Sequence, residues 1–69
     1  MMHVVYQVRE MVCEVRSSVI ELQRVGVRDV AGREQWRVVR DGTLEYASNW
    51  RPGAVEVWMA AVLAVLREG

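Results

Sequence analysis

The 69-residue sequence has no lysine and no phenylalanine, and it contains only one cysteine, one histidine and one proline. A single cysteine, Cys13, excludes an intramolecular disulfide. Cys13 and His3 together also fall short of the four ligands that a structural zinc site takes. Domains this small have thin cores and are commonly stabilised by disulfides, by a metal or by association. Since the first two are excluded, we expect the chain to pair with itself as a homodimer.

An excess of charge of one sign is also missing, because nine arginines balance nine acidic residues. A neutral chain lacks the overall field that draws a protein to nucleic acid or to an anionic membrane. The longest uncharged run, residues 57–66, is about half as long as a membrane-spanning helix. No secretion signal is visible near the N-terminus. The expected location is therefore the cytoplasm, with no membrane partner.

The N-terminal third of the chain carries a repeating apolar pattern. Its members follow each other at alternating intervals of three and four residues, as on one face of a helix. They are Val5, Val8, Val12, Val15, Val19 and Leu22. This spacing predicts a helix over about residues 4–25, ended by Gly26. Valine disfavours helices, and residues 4–8 also suit a strand.

A hairpin is predicted over about residues 35–47, because Asp-Gly at 41–42 lies between two runs rich in β-forming residues. Two registers are open. A three-residue loop pairs Val38 with Leu44 and gives one apolar face, whereas a two-residue loop pairs Val38 with Glu45 and mixes the faces. We therefore predict the three-residue loop.

The last helix is predicted over about residues 52–67, since Pro52 suits a first helical turn. A stripe assigned to the core comprises Val55, Trp58, Met59, Val62 and Leu66. The other side carries small apolar residues that we predict to pack against the same helix of a second copy. These self-association residues are Val57, Ala60, Ala61 and Ala64. Alternatively, alanine is present there only because it favours helices.

These elements predict an α+β fold with one domain over residues 1–69. The expected arrangement is α-β-β-α, with two helices packed on a β-hairpin and a homodimer completing the core. Residues 27–34 are predicted to connect the first helix to the hairpin, with a short strand at 27–30.

A second stripe on the first predicted helix combines an aromatic, a thiol, an aliphatic side chain and two arginines. Tyr and Arg are enriched at protein interfaces, so this stripe is predicted to bind an unidentified protein partner. Its residues are Tyr6, Arg9, Cys13, Arg16 and Ile20. The alternative is ordinary scatter of apolar residues on a surface.

The middle of the chain interleaves arginines with aromatic residues, which is typical of surfaces that stack bases and contact phosphates. The residues of this alternative nucleic-acid site are Arg33, Arg37, Arg40, Trp50 and Arg51. Trp50 equally suits packing on the first turn of the last helix.

No catalytic, cofactor-binding or metal-binding pattern occurs in the sequence, and its glycines are spread singly rather than forming a phosphate-binding loop. We therefore predict a non-enzymatic protein-interaction module. An inhibitor or adaptor encoded by a phage or mobile element is the expected kind of protein. The alternative is a nucleic-acid-binding or transcriptional regulatory protein.

Overall fold

The computed structural model describes residues 4–27 and 34–68, apart from the side chains of Val5 and Val27. Four strands are followed by one helix: β1 (Val4–Val15), β2 (Ser18–Val27), β3 (Glu34–Arg40), β4 (Thr43–Ser48) and α1 (Arg51–Arg67). The strands form one antiparallel sheet in the order β1-β2-β3-β4. Helix α1 packs on one face of the sheet, which we call the covered face. The other face is called the open face because α1 does not cover it, although Gln23 and Val25 are buried there.

The predicted α-β-β-α arrangement is wrong, because residues 4–25 form most of a β-hairpin instead of a helix. A two-residue turn, Arg16-Ser17, joins β1 to β2. Valine is β-branched and packs well on a pleated surface, so the composition of this region favours strands. The helix-like spacing has another origin. The register shifts by one residue at Glu10, and the turn interrupts the alternation again, so the apolar positions lose their period of two.

The hairpin predicted in the middle of the chain is present, but its predicted register is wrong. The loop has two residues, 41–42, and Val38 pairs with Tyr46 rather than with Leu44. A register shift on β4 leaves Glu45 without a partner. This one-residue shift corrects the mixing of faces that a two-residue loop would otherwise produce, so Val38 and Tyr46 both reach the covered face.

The side chains between the sheet and α1 form the main core. Those that are buried are Ile20, Leu22, Trp36, Val38, Ala54 and Val65. Partly buried apolar residues pack around them: Met11, Val15, Tyr46, Val55, Val57, Trp58, Ala61 and Val62. Leu22 and Val38 are fully buried, and Trp36 is 9% exposed.

Helix α1 is rotated from the predicted side: Val55, Trp58 and Val62 of the predicted stripe pack against the core, but its other two residues do not. Ala54 and Val65 are fully buried there, with Ala61 packed beside them. Met59 and Leu66, which were assigned to the core, are 52% and 45% exposed. The small residues Ala54 and Ala61 allow the helix backbone to lie close to the sheet, whereas Ala60 and Ala64 on the other side are exposed.

Two sets of hydrogen bonds connect the elements around β2. The Trp58 Nε1 donates to the backbone oxygen of Ile20 at 3.0 Å, joining α1 to β2. The backbone nitrogen of Val19 donates to Asp41 Oδ1 at 2.8 Å, and the Asp41 nitrogen donates to the Val19 oxygen at 2.8 Å. The turn between β3 and β4 is thus fixed to the start of β2. Residues 28–33, most of the predicted connection, lie outside the described residues.

Candidate interaction surfaces

An apolar stripe runs along the side of α1 that faces away from the sheet. Met59, Leu63 and Leu66 follow each other at intervals of four and three residues, and each is 45% to 52% exposed. Residues at this spacing lie on one side of a helix. We call these three residues the outer stripe.

Two charged residues lie along one edge of the outer stripe. Glu56 precedes it and Arg67 follows it, and both residues are exposed. At 100° per residue, their side chains leave the helix in nearly the same direction, about 20° apart. The outer stripe is therefore bordered by a negative charge at one end and a positive charge at the other.

On the open face, a row of four paired residues crosses the sheet and is exposed only at its two ends, because Val39 is buried and the Glu21 side chain is 13% exposed. Val12 lies opposite Glu21, Glu21 opposite Val39, and Val39 opposite Leu44. The ends of the row are well exposed, with Val12 at 46% and Leu44 at 54%. Arg9 Nε lies 2.8 Å from Glu21 Oε1, but no N–H of the described residues is aligned on that oxygen. The contact is therefore an ion pair without a hydrogen bond.

A polar cluster occupies the end of the covered face that α1 does not reach. Arg24 Nε donates to Glu10 Oε1 at 2.5 Å, and Arg24 Nη1 donates to Glu34 Oε2 at 2.6 Å. The Tyr6 hydroxyl donates to the same Glu34 oxygen at 2.5 Å. The Arg24 guanidinium also lies 5.7 Å from the centre of the Tyr6 ring, within cation–π range. The four side chains thus satisfy one another.

The hydrogen bonds of this cluster shift the pKa values of its members. The hydrogen bond from Tyr6, followed by that from Arg24, lowers the pKa of the Glu34 carboxyl below its ordinary value of 4.5. The bond to Glu34 raises the pKa of the Tyr6 hydroxyl above 10.0. The bonds to Glu10 and then Glu34 raise the pKa of Arg24. The shifts favour the charged forms of Glu34 and Arg24 and the neutral, hydrogen-donating form of Tyr6, as expected of a structural cluster.

Gly26 allows the cluster to form. It lies directly opposite Tyr6 in the β1–β2 ladder, and a Cβ added at Gly26 would overlap the Tyr6 ring. An aromatic ring that covers a cross-strand glycine shields the backbone that the glycine leaves open. The absence of a side chain at this position thus lets Tyr6 lie flat and reach Glu34.

The predicted self-association residues divide between two environments. Val57 and Ala61 are partly buried and pack against the core, whereas Ala60 and Ala64 are exposed. Contact with a second copy through Ala60 and Ala64 stays a prediction.

The predicted partner-binding residues do not share one exposed surface. Ile20 is fully buried, and Cys13, which pairs with it, is half-buried on the covered face. Tyr6 belongs to the polar cluster, Arg9 lies on the open face, and Arg16 is in the turn. Residues seven apart lie on one side of a helix, but these residues are in two strands and the turn between them, so they are separated.

The residues of the alternative nucleic-acid site are also separated. Arg37 donates to Gln35 on the open face, whereas Arg40 pairs with Glu68 after the helix. Arg51 lies over the Trp36 ring at 5.4 Å. Trp50 is 64% exposed at the start of α1 and lies close to Gly53, as expected for packing on the first turn. Arg33 lies outside the described residues.

Among residues 4–27 and 34–68, no three His, Cys, Asp or Glu side chains come together in a way that could hold a metal ion. The only helix in this part of the chain is too short to cross a membrane.

Sequence reasoning missed the outer stripe as a surface. Met59 and Leu66 were assigned to the core, and Leu63 was assigned to neither side. The interval pattern 59, 63, 66 was visible in the sequence, but apolar residues surround this helix and several stripes compete. Which stripe is buried and which is exposed depends on the side of the helix that packs against the sheet.

Comparison of the chain with protein-family models, with curated proteins and with solved structures gives no match.

Proposed function

We propose that this chain is a non-enzymatic protein-interaction module that pairs with itself and binds a further protein. The observation that carries the proposal is the number of large apolar side chains that stay exposed on a small domain. Nine such residues are between 37% and 64% exposed: Val4, Tyr6, Val8, Val12, Leu44, Trp50, Met59, Leu63 and Leu66. Single exposed apolar residues are ordinary, but contiguous groups indicate interaction sites.

The exposed residues include groups on opposite sides of the molecule. The outer stripe lies on the far side of α1, whereas Val12 and Leu44 belong to the row on the open face. One surface is therefore available for a second copy while the other is available for a different protein. Exposed apolar side chains on both sides of the molecule support an adaptor or an inhibitor that acts as a dimer.

The polar groups support a structural role in preference to catalysis. Within the described residues, the groups with shifted pKa values are Tyr6, Arg24 and Glu34, which are held by bonds to one another and to Glu10. Perturbed pKa values occur both at active sites and in structural ion-pair networks. Because the members of this cluster pair with one another, the cluster is of the structural ion-pair kind.

Light scattering coupled to gel filtration tests the self-association. We expect the mass to correspond to a dimer at micromolar concentrations and to change little when sodium chloride is raised from about 0.05 M to about 0.5 M, because apolar contacts are not screened. A monomer at every accessible concentration would contradict the proposal.

Nucleic-acid binding is tested in the same salt series with labelled single-stranded and double-stranded oligonucleotides. Affinity that falls steeply with salt would favour the alternative, because phosphate contacts release counterions. For the proposed interaction module we expect binding no stronger than that of a neutral control protein.

A further inference from the structure

We propose that two copies of this chain pair through the outer stripes of their α1 helices, antiparallel and related by a two-fold axis, with Glu56 of each copy beside Arg67 of the other. This inference rests on the self-association in the proposed function and assigns it a surface, a partner and an orientation.

The outer stripe has the shape that such a pair needs. At 100° per residue, Met59, Leu63 and Leu66 lie within an arc of about 60°. This arc points away from Ala54 and Val65, which α1 buries against the sheet. Two helices that meet along arcs of this width pack at interaxial distances of about 8–10 Å. The stripe is therefore available without any change in the fold.

The charges beside the stripe select the orientation. Glu56 and Arg67 are eleven residues apart, which corresponds to about 16 Å along the helix. The midpoint between them falls within about one residue of the centre of the stripe. An antiparallel two-fold axis at this point brings each Glu56 next to the partner's Arg67 on the same side of the pair. In a parallel two-fold pair, the two Glu56 residues would lie at the same level but on opposite sides of the pair, so no Glu56 would meet an Arg67.

Both charges are available for a partner. Neither Glu56 nor Arg67 forms an ion pair within the described residues. The neighbouring Glu68, by contrast, is already paired with Arg40 at 3.1 Å. When two α1 helices lie antiparallel, Glu56 of each thus faces Arg67 of the other, as a two-fold interface requires.

The test combines apolar and charge substitutions with sedimentation equilibrium. Leu63→Glu places a carboxylate at the centre of the stripe and should weaken the dimer about a hundred-fold, since the two-fold axis makes the change count twice. Leu44→Glu is the matched control, because Leu44 is similarly exposed on the open face. It should leave the dimer intact. Circular dichroism establishes that both variants are folded.

The charge substitutions test the orientation. Glu56→Arg and Arg67→Glu should each weaken the dimer about ten-fold by placing like charges together. The double variant E56R/R67E should recover the affinity of the parent chain. In a parallel pair, neither single reversal would weaken association and the double variant would show no recovery.

The outcomes separate this inference from the proposed function. Loss of the dimer in Leu63→Glu together with recovery in E56R/R67E supports the antiparallel helix pair. A dimer that is disrupted by Leu44→Glu but not by Leu63→Glu overturns the helix pair and leaves self-association standing. A parent chain that remains monomeric overturns both. If the parent is monomeric and Leu63→Glu alone prevents binding to a foreign protein, the stripe belongs to that protein.

Discussion

The two hairpins of the sheet have the same kind of turn but reach it with different residues. Both turns hold two residues at positive φ, 50° and 69° at Arg16-Ser17 and 50° and 83° at Asp41-Gly42. This conformation matches the twist of the strands, and Asp-Gly accommodates it readily. Arg16 and Ser17 do not, since a side chain in the left-handed region costs about 1 kcal/mol. Paired strands can therefore impose a turn that its own residues disfavour.

The strands explain why the first hairpin tolerates its turn. β1 and β2 contain 12 and 10 residues, whereas β4 contains only 6. The longer ladder supplies more backbone hydrogen bonds and cross-strand contacts to offset the cost of the turn. The shorter hairpin has a favourable turn and an additional hydrogen bond, which the Val19 backbone nitrogen donates to Asp41.

The largest expected effect comes from the residue that attaches the helix to the first hairpin. Trp58→Ala removes a side chain packed against the core and the bond to the Ile20 oxygen. We expect a loss of about 3 kcal/mol in the free energy of unfolding, the lower end of the range for Trp→Ala because Trp58 is only partly buried. Urea unfolding measures it. Trp50→Ala is the control, and equal losses in the two variants would contradict the core assignment.

Gly26→Ala tests how the far end of the first hairpin is built. The added methyl group would displace the Tyr6 ring and its bond to Glu34, at a cost of about 1–3 kcal/mol. In a chain that already carries Tyr6→Ala, the same substitution should cost much less. If the cost is unchanged in that background, the ring is not what excludes a side chain at position 26.

Substitutions in the two turns should have opposite signs. Gly42→Ala introduces a side chain at a φ of 83° and should lower the free energy of unfolding by about 1 kcal/mol. Ser17→Gly relieves the same type of strain and should raise it by a few tenths of a kcal/mol, after allowance for the freer unfolded chain. Thermal melts of both variants measure the difference. Destabilisation by Ser17→Gly would show that the strands impose no strain on the first turn.

The smallest expected effect concerns acid. Because the pKa of Glu34 is lower in the folded chain, its contribution to stability is complete above the unfolded value and is lost as pH falls through the folded value. The melting temperatures of the parent and of Glu34→Gln should differ most near neutral pH and converge below about pH 4. Glu45→Gln, which alters an exposed carboxylate outside the cluster, is the control. A constant difference across this range would refute the role of the ion pairs.

The sequence was informative where a local residue pair determines the structure. Asp-Gly located the second hairpin, and Pro52 placed the start of α1 within one residue. For residues 4–25 the signal was misleading. The extra residue at Glu10 shifts the strand alternation, and only the pairing with β2 reveals this shift. The fifteen valines were the available evidence for strands, and the apolar spacing outweighed them in the prediction.

The candidate surfaces were harder to predict for a related reason. The side of an apolar helix that becomes an interface depends on which side the sheet covers. Once the first helix is replaced by two strands, α1 turns Ala61 inward and Leu63 outward. The error in the first element thus displaced the predicted core side of α1, so that Met59 and Leu66 were assigned to the core although they are exposed.

In the described part of the chain, β1 is an edge strand of the sheet. A long valine-rich edge strand presents unpaired N–H and C=O groups that can pair with a strand of another chain. The register breaks at Val5 and Glu10 divide its outward row of N–H and C=O groups into short runs, residues 6–9 and 11–15. Such breaks bend the strand and interrupt its pairing with a strand of another molecule. We therefore expect the irregularity that disguised β1 in the sequence to disfavour edge-to-edge pairing between copies of the chain.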